Sequence, residues 1–151
     1  MDERPHRRID VFFYGLFMDA DALRDAGTRP ENGRQAWVDD FALRIGRRAT
    51  LVPSPGARAY GMLIALTHEE LDLLYGAPGL EGYGPEAVIA YTFDDQAFPA
   101  LCYNLVIEPS PEERNPEYAA RLKRVLERLR FPADYIESSF TQTTDNPSQS
   151  P

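Results

Sequence analysis

The apolar residues of this chain come in short runs, each closed by glycine, proline or a cluster of polar turn residues. That patterning constrains the fold more than any other feature. No run approaches the roughly 20 residues that a membrane-crossing helix needs. It predicts a mixed α/β chain with several short strands. Asp10 to Tyr14 is β-branched and aromatic and stops at Gly15, which reads as a buried first strand. Ala36 to Ile45, Arg48 to Val52, Ala59 to Leu66, Ala87 to Phe93 and Ala100 to Ile107 read as further strands. Pro53-Ser54-Pro55-Gly56 predicts a loop, and Asp94-Asp95-Gln96 the turn of a hairpin.

The helices announce themselves by their caps. Asp19 caps a short helix through Ala26, and Gly27 supplies a left-handed stop. Thr67 and Glu70 form a capping box, opening a helix that ends at Tyr75 and Gly76 with Leu71, Leu74 and Tyr75 on one side. A glycine-rich loop, Gly76 to Pro85, follows. Asn115 caps the last clear helix, with Pro116 at its first position and an apolar stripe of Leu122, Val125, Leu126 and Leu129. Arg121, Arg124, Arg128 and Arg130 lie around the rest of it and read as a solvated face.

At 151 residues the chain favours one domain, and 43% hydrophobic residues suffice for a core. The net charge of −8 argues against nucleic acid as a partner, Arg44, Arg47 and Arg48 notwithstanding, because phosphate binding needs a dominant basic face. The lone cysteine, Cys102, excludes an intrachain disulfide and sits in an apolar strand as a core residue. Two histidines make a metal cage unpromising, and His68 reads as an exposed helix-start residue. The charged start, Met1 to Asp10, lacks the apolar stretch of a signal peptide, and a soluble, cytoplasmic protein is expected. Neither a phosphate loop nor a dinucleotide fingerprint occurs, and no cofactor or metal is expected.

Certain pieces stand in a telling order. Tyr14-Gly15-Leu16-Phe17-Met18 closes the first strand. Pro53-Ser54-Pro55-Gly56 is followed by Tyr60-Gly61. Leu71-Asp72, Gly76 and Tyr83 come next, and Phe131-Pro132-Ala133-Asp134-Tyr135-Ile136 comes last. This series, from about Val11 to Glu137, resembles the γ-glutamylcyclotransferase-like family. The resemblance implies an α+β fold: a small mixed, mainly antiparallel β-barrel-like sheet with flanking helices. The family domain would then span 10–137. The polar stretch 1–9 reads as a frayed N-terminus, and 138–151, rich in Ser, Thr, Gln, Asn and Pro, as a flexible tail.

The family's reaction turns a γ-glutamyl amine or peptide into 5-oxoproline and the released amine. The substrate's α-amine attacks its own γ-carbonyl while a glutamate moves the protons. By resemblance, Tyr14, Gly15, Leu16, Phe17 and Met18 form the substrate-binding loop, whose backbone N–H groups face the substrate's carboxylate or oxyanion, with Tyr83 across from it. Tyr75 falls where the family's Leu-Asp-x-x-Glu-Gly has its acid/base glutamate, and Leu16 and Phe17 replace the usual Ser and Asn or Leu. Two readings follow. In one, a displaced carboxylate takes over catalysis, Glu81 before Glu86. In the other, a catalytically silent relative binds a small acyl-amino ligand or a protein partner in a pocket of Tyr14, Phe17, Tyr75 and Tyr83.

Overall fold

A computed structural model describes residues 7–144 of the chain, with side chains through residue 140. The strands are β1 (Arg8–Phe13), β2 (Glu31–Ile45), β3 (Ala49–Thr67), β4 (Tyr83–Thr92) and β5 (Ala97–Leu105). Four helices flank them: α1 (Ala20–Asp25), α2 (His68–Tyr75), α3 (Pro116–Arg128) and α4 (Ala133–Thr144). The strands close into a barrel in the order β1-β3-β2-β4-β5, antiparallel except where β1 meets β5 in parallel. That is the mixed, mainly antiparallel barrel with flanking helices that the family resemblance implies.

The local signals produce the elements they predict. Thr67 accepts from Glu70 N while the Glu70 carboxylate accepts from Thr67 N, a complete capping box at α2. Asn115 accepts from Tyr118 N with Pro116 at the first helical position of α3, and Asp19 accepts from Asp21 N at α1. Leu122, Val125 and Leu126 are buried, as are Leu71 and Leu74. Gly61 is fixed by a close approach. A Cβ there would stand 2.2 Å from the Phe13 carbonyl oxygen, where β1 crosses β3.

Four expectations are corrected. Pro53–Gly56 is not a loop, because β3 runs straight through it. Its partner β2 absorbs the irregularity with a register shift between Asp39 and Phe41, where Asp40 adopts φ 67° and its carboxylate accepts from Gly56 N at 2.9 Å. The last strand ends at Leu105, leaving Val106 and Ile107 exposed. The expected tail boundary at 138 falls inside α4, whose Phe140 is buried in the core. At the other end Arg8 and Ile9 belong to β1 rather than to a frayed terminus. Residues 1–6 and 145–151 lie outside the described residues.

Candidate functional site

The first strand ends at a break in regular structure. Gly15 turns the chain out of β1, and Leu16–Met18 form a single 3₁₀ turn in which Met18 N donates to Gly15 O. Gly15 is tight for a second reason: a Cβ on it would meet the Tyr118 hydroxyl at 2.9 Å. Across from this turn, α2 delivers Tyr75 from its last residue, and the loop that follows brings Gly79 and Leu80. Between them lies a cavity of about 320 Å³, within the range of small-molecule sites.

Five tyrosines shape this cavity: Tyr14, Tyr75, Tyr83, Tyr103 and Tyr118. Tyr75 stacks on Tyr103, centroids 3.9 Å apart and planes 10° from parallel, and tilts against Tyr83 at 6.1 Å. Tyr14 donates its hydroxyl proton to Tyr103 O at 2.6 Å, and Tyr83 donates to Ala49 O. The Tyr75 hydroxyl makes no hydrogen bond among the described residues. Burial pushes the phenols of Tyr14 and Tyr75 well above their ordinary range, with the Cys102 thiol next in effect. These phenols remain protonated at neutral pH, so none of them is a base there.

The cavity's ionised groups are both cationic, Arg48 and Arg121, and among the described residues no aspartate or glutamate lines it. Arg48 is held in place: its guanidinium donates to Gly79 O at 3.0 Å and to Glu81 O, and lies 5.3 Å from the Tyr83 ring centroid. It therefore straps the loop after α2 onto the start of β3.

Of the residues singled out in the sequence, Tyr14, Gly15, Leu16, Phe17, Tyr75 and Tyr83 come together around this one cavity. Met18 does not. It is 1% exposed and packs in the core. Glu81 also stands outside, lining a neighbouring depression with Arg47 and Glu113. Its carboxylate accepts from its own N–H and from Gly79 N, which holds its pKa below the usual carboxylate value. An acid/base glutamate needs the opposite shift. Glu86 is exposed and accepts from Asn104 Nδ2 at 2.8 Å. Cys102 is fully buried, and burial pushes its thiol up to about 12, which leaves it an unreactive core residue. No group of three potential metal ligands occurs among the described residues, and no described helix is long and apolar enough to cross a membrane.

Sequence reasoning missed Tyr103, Tyr118, Arg48 and Arg121. Tyr103 had a legible signal: it alternates with buried Cys102 and Asn104 along β5, so it faces the other side of the sheet. The other three reach the cavity from distant stretches of chain and carry no local mark.

No family model matches the sequence, and no curated protein does. Solved structures do match the fold. A γ-glutamyl cyclotransferase superposes with a TM-score of 0.73 over 87% of this chain and 86% of its own, at 19% identity. YkqA from Bacillus subtilis gives 0.74 at 21% identity over 92% of this chain, which spans 55% of YkqA. An AIG2-like protein from Mus musculus gives 0.54 at 15% identity over 75% of this chain and 83% of its own. The barrel and its flanking helices are thus those of the γ-glutamylcyclotransferase-like fold.

Proposed function

We infer that this protein binds a small γ-glutamyl or acyl-amino compound in the tyrosine-lined cavity and does not convert it to 5-oxoproline. One observation carries the reading: the Tyr75 ring, at the position where the resemblance expects the acid/base glutamate, is stacked on Tyr103 in a cavity without a lining carboxylate among the described residues. Cyclisation needs a group that takes a proton from the substrate ammonium and returns one to the leaving amine. A buried phenol whose pKa lies well above its ordinary value of about 10 cannot do this near neutrality. Binding needs no such group. The aromatic walls suit an apolar moiety, and the arginines suit a carboxylate. The lone, buried Cys102 fits a reducing compartment such as the cytoplasm.

Calorimetric titration with a panel of γ-glutamyl amides, and assay of the same mixtures for 5-oxoproline, tests the proposal. Saturable binding without 5-oxoproline is expected. Wild-type turnover would overturn it. Turnover abolished by Glu81→Gln would establish instead that the loop after α2 swings a carboxylate into the cavity.

A further inference from the structure

Beside the tyrosine-lined cavity lies a second depression of about 210 Å³, bordered by α1 and α3. The two share Leu16, Ala22 and Arg121, so they form one continuous groove running from the aromatic walls out along α3. The outer part carries Arg121, Arg124 and Arg128, spaced i, i+3 and i+7 on one face of the helix. Only Arg128 is neutralised: its Nη2 lies 2.8 Å from Asp19 Oδ2. Arg121 and Arg124 have no ion-pair partner among the described residues. Glu117, four residues before Arg121, and Glu127, three after Arg124, are well spaced to pair with them and do not.

This is an unusual place for unpaired cations. The chain has a net charge of −8, so carboxylates are plentiful. Like charges three residues apart on a helix repel one another. Arg48 at the inner end makes no ion pair among the described residues either, though its charge acts on the nearby Glu81 carboxylate, and the one carboxylate lining the groove, Asp19, is taken by Arg128. A groove of one sign in a body of the other concentrates anions locally.

We propose that the groove takes an elongated ligand with two ends: an apolar or aromatic group in the tyrosine-lined cavity, and a carboxylate or phosphate held by Arg121 and Arg124 outside it. Guanidinium forks pair with either anion in a bidentate manner, so carboxylate and phosphate are the shared chemistry. The proposal rests on the cavity binding a small acyl-amino compound, and it names the feature by which such compounds are selected: an anionic group on the amine side. The stripe read from sequence as a solvated helix face becomes the specificity wall of the site.

The test is a matched pair of probes, γ-glutamyl anilide and γ-glutamyl-4-aminobenzoate, which differ only by a carboxylate on the ring. At low salt the benzoate compound is expected to bind wild type about tenfold more tightly, equivalent to one good charge-assisted contact. Arg121→Gln combined with Arg124→Gln reduces that preference to about twofold or less, and so does raising the salt. Lys123→Gln, on the same helix but off the groove, leaves it unchanged. Equal binding of both probes to wild type, or an equal loss in the Lys123 variant, would overturn the proposal. If neither γ-glutamyl probe binds, the acyl-amino reading fails on its own, and phenyl phosphate then decides the groove. It must shift the amide resonances of Leu16 and Val125 in wild type and not in the double variant. No shift in wild type sinks the anion site.

Discussion

The ring of Tyr75 lies face to face with that of Tyr103, 3.9 Å between centroids. Helix α2 and strand β5 meet in this contact, at the cavity wall. A stacked pair of this kind contributes about 0.5–1.5 kcal/mol beyond the area it buries. The position that the family resemblance assigns to proton transfer is here an aromatic wall.

Tyr75→Glu separates these uses. The variant loses the stack and buries a carboxyl, which should cost about 1–3 kcal/mol. Desolvation disfavours the charged form, so the folded-state pKa of the new group rises above its unfolded value near 4.3. The part of the penalty due to ionisation is then absent below about pH 4 and grows as pH rises towards the folded pKa, while the cost of the lost stack stays at every pH. Thermal melts of wild type and variant should lie closest in acid and separate further towards neutrality. If the cavity positions a γ-glutamyl group correctly, the variant also releases 5-oxoproline from at least one member of the amide panel. A folded variant that binds the panel without any turnover would show that Leu16 and Phe17 have also altered substrate orientation.

Glu70 should dominate a part of the acid stability. Its carboxylate accepts from Thr67 N at 2.9 Å and Arg29 N at 2.6 Å and pairs with Arg8 at 3.3 Å, tying β1, the segment before β2 and the start of α2 together. Burial alone would raise its pKa, but the backbone N–H donors and the Arg8 charge outweigh that and hold it below the ordinary carboxylate value. A depressed folded pKa means stability that is present above the unfolded value and lost as pH falls through the folded one. Glu70→Gln should cost about 1–3 kcal/mol at neutral pH and flatten the loss of stability below about pH 4.5. Chemical denaturation from pH 3 to 7 checks this. An unchanged pH slope would place the acid sensitivity elsewhere.

Local chemistry was legible in the sequence, and long-range compensation was not. The Thr67–Glu70 box, the Asn115 cap with Pro116 and the stop at Gly15 each act within a few residues, so each could be read directly. Pro53–Gly56 reads as a loop because two prolines and a glycine break pairing locally. What lets β3 continue is Asp40 on another strand, whose carboxylate accepts from Gly56 N. Half the site was legible for the same reason. Tyr14 to Phe17 and Tyr75 to Tyr83 flank breaks in regular structure, whereas Arg48, Tyr118 and Arg121 meet there only through the closed barrel and the docking of α3.

Phe140 is the clearest instance of a residue hidden by its neighbours. It stands among Ser138, Ser139, Thr141 and Gln142, a composition without a packing pattern, yet it is 5% exposed in the core. Phe140→Ala should destabilise the protein by about 3–5 kcal/mol, the usual cost of emptying a buried phenyl site. Cutting the chain after Ser139 should cost at least as much, since it removes Phe140 together with the end of α4. A melting temperature unchanged by either alteration would show that α4 does not hold the barrel.

The barrel closes at a seam with little main-chain pairing, and this gives the last prediction. β1 and β5 are in register only at Val11 and Leu101, and β3 has no strand pairing with β5. Two buried side chains bridge the gap. Thr50 Oγ1 accepts from Leu105 N at 2.9 Å, and Asn104 Oδ1 accepts from Leu51 N at 3.1 Å. Thr50 is 0% exposed and Asn104 6%, so both acceptors are buried. The Leu51–Asn104 bond is fully buried and the Leu105–Thr50 bond partly so, and an unsatisfied N–H at either costs stability. Thr50→Val keeps the shape and removes the acceptor, leaving Leu105 N unpaired. It should cost about 1–3 kcal/mol, whereas exposed threonine replacements usually fall within about 0.5 kcal/mol. Hydrogen exchange localises the effect. The Leu105 amide should exchange faster in Thr50→Val by more than the global loss of stability accounts for, and the Leu51 amide should respond in the same way to Asn104→Leu. The cavity shares this seam, because Ala49 and Tyr103 line it from either side. Opening of the seam should therefore weaken ligand binding in both variants. Uniform acceleration of exchange across all strands, with binding intact, would mean that β3 and β5 are held by packing rather than by these two bonds.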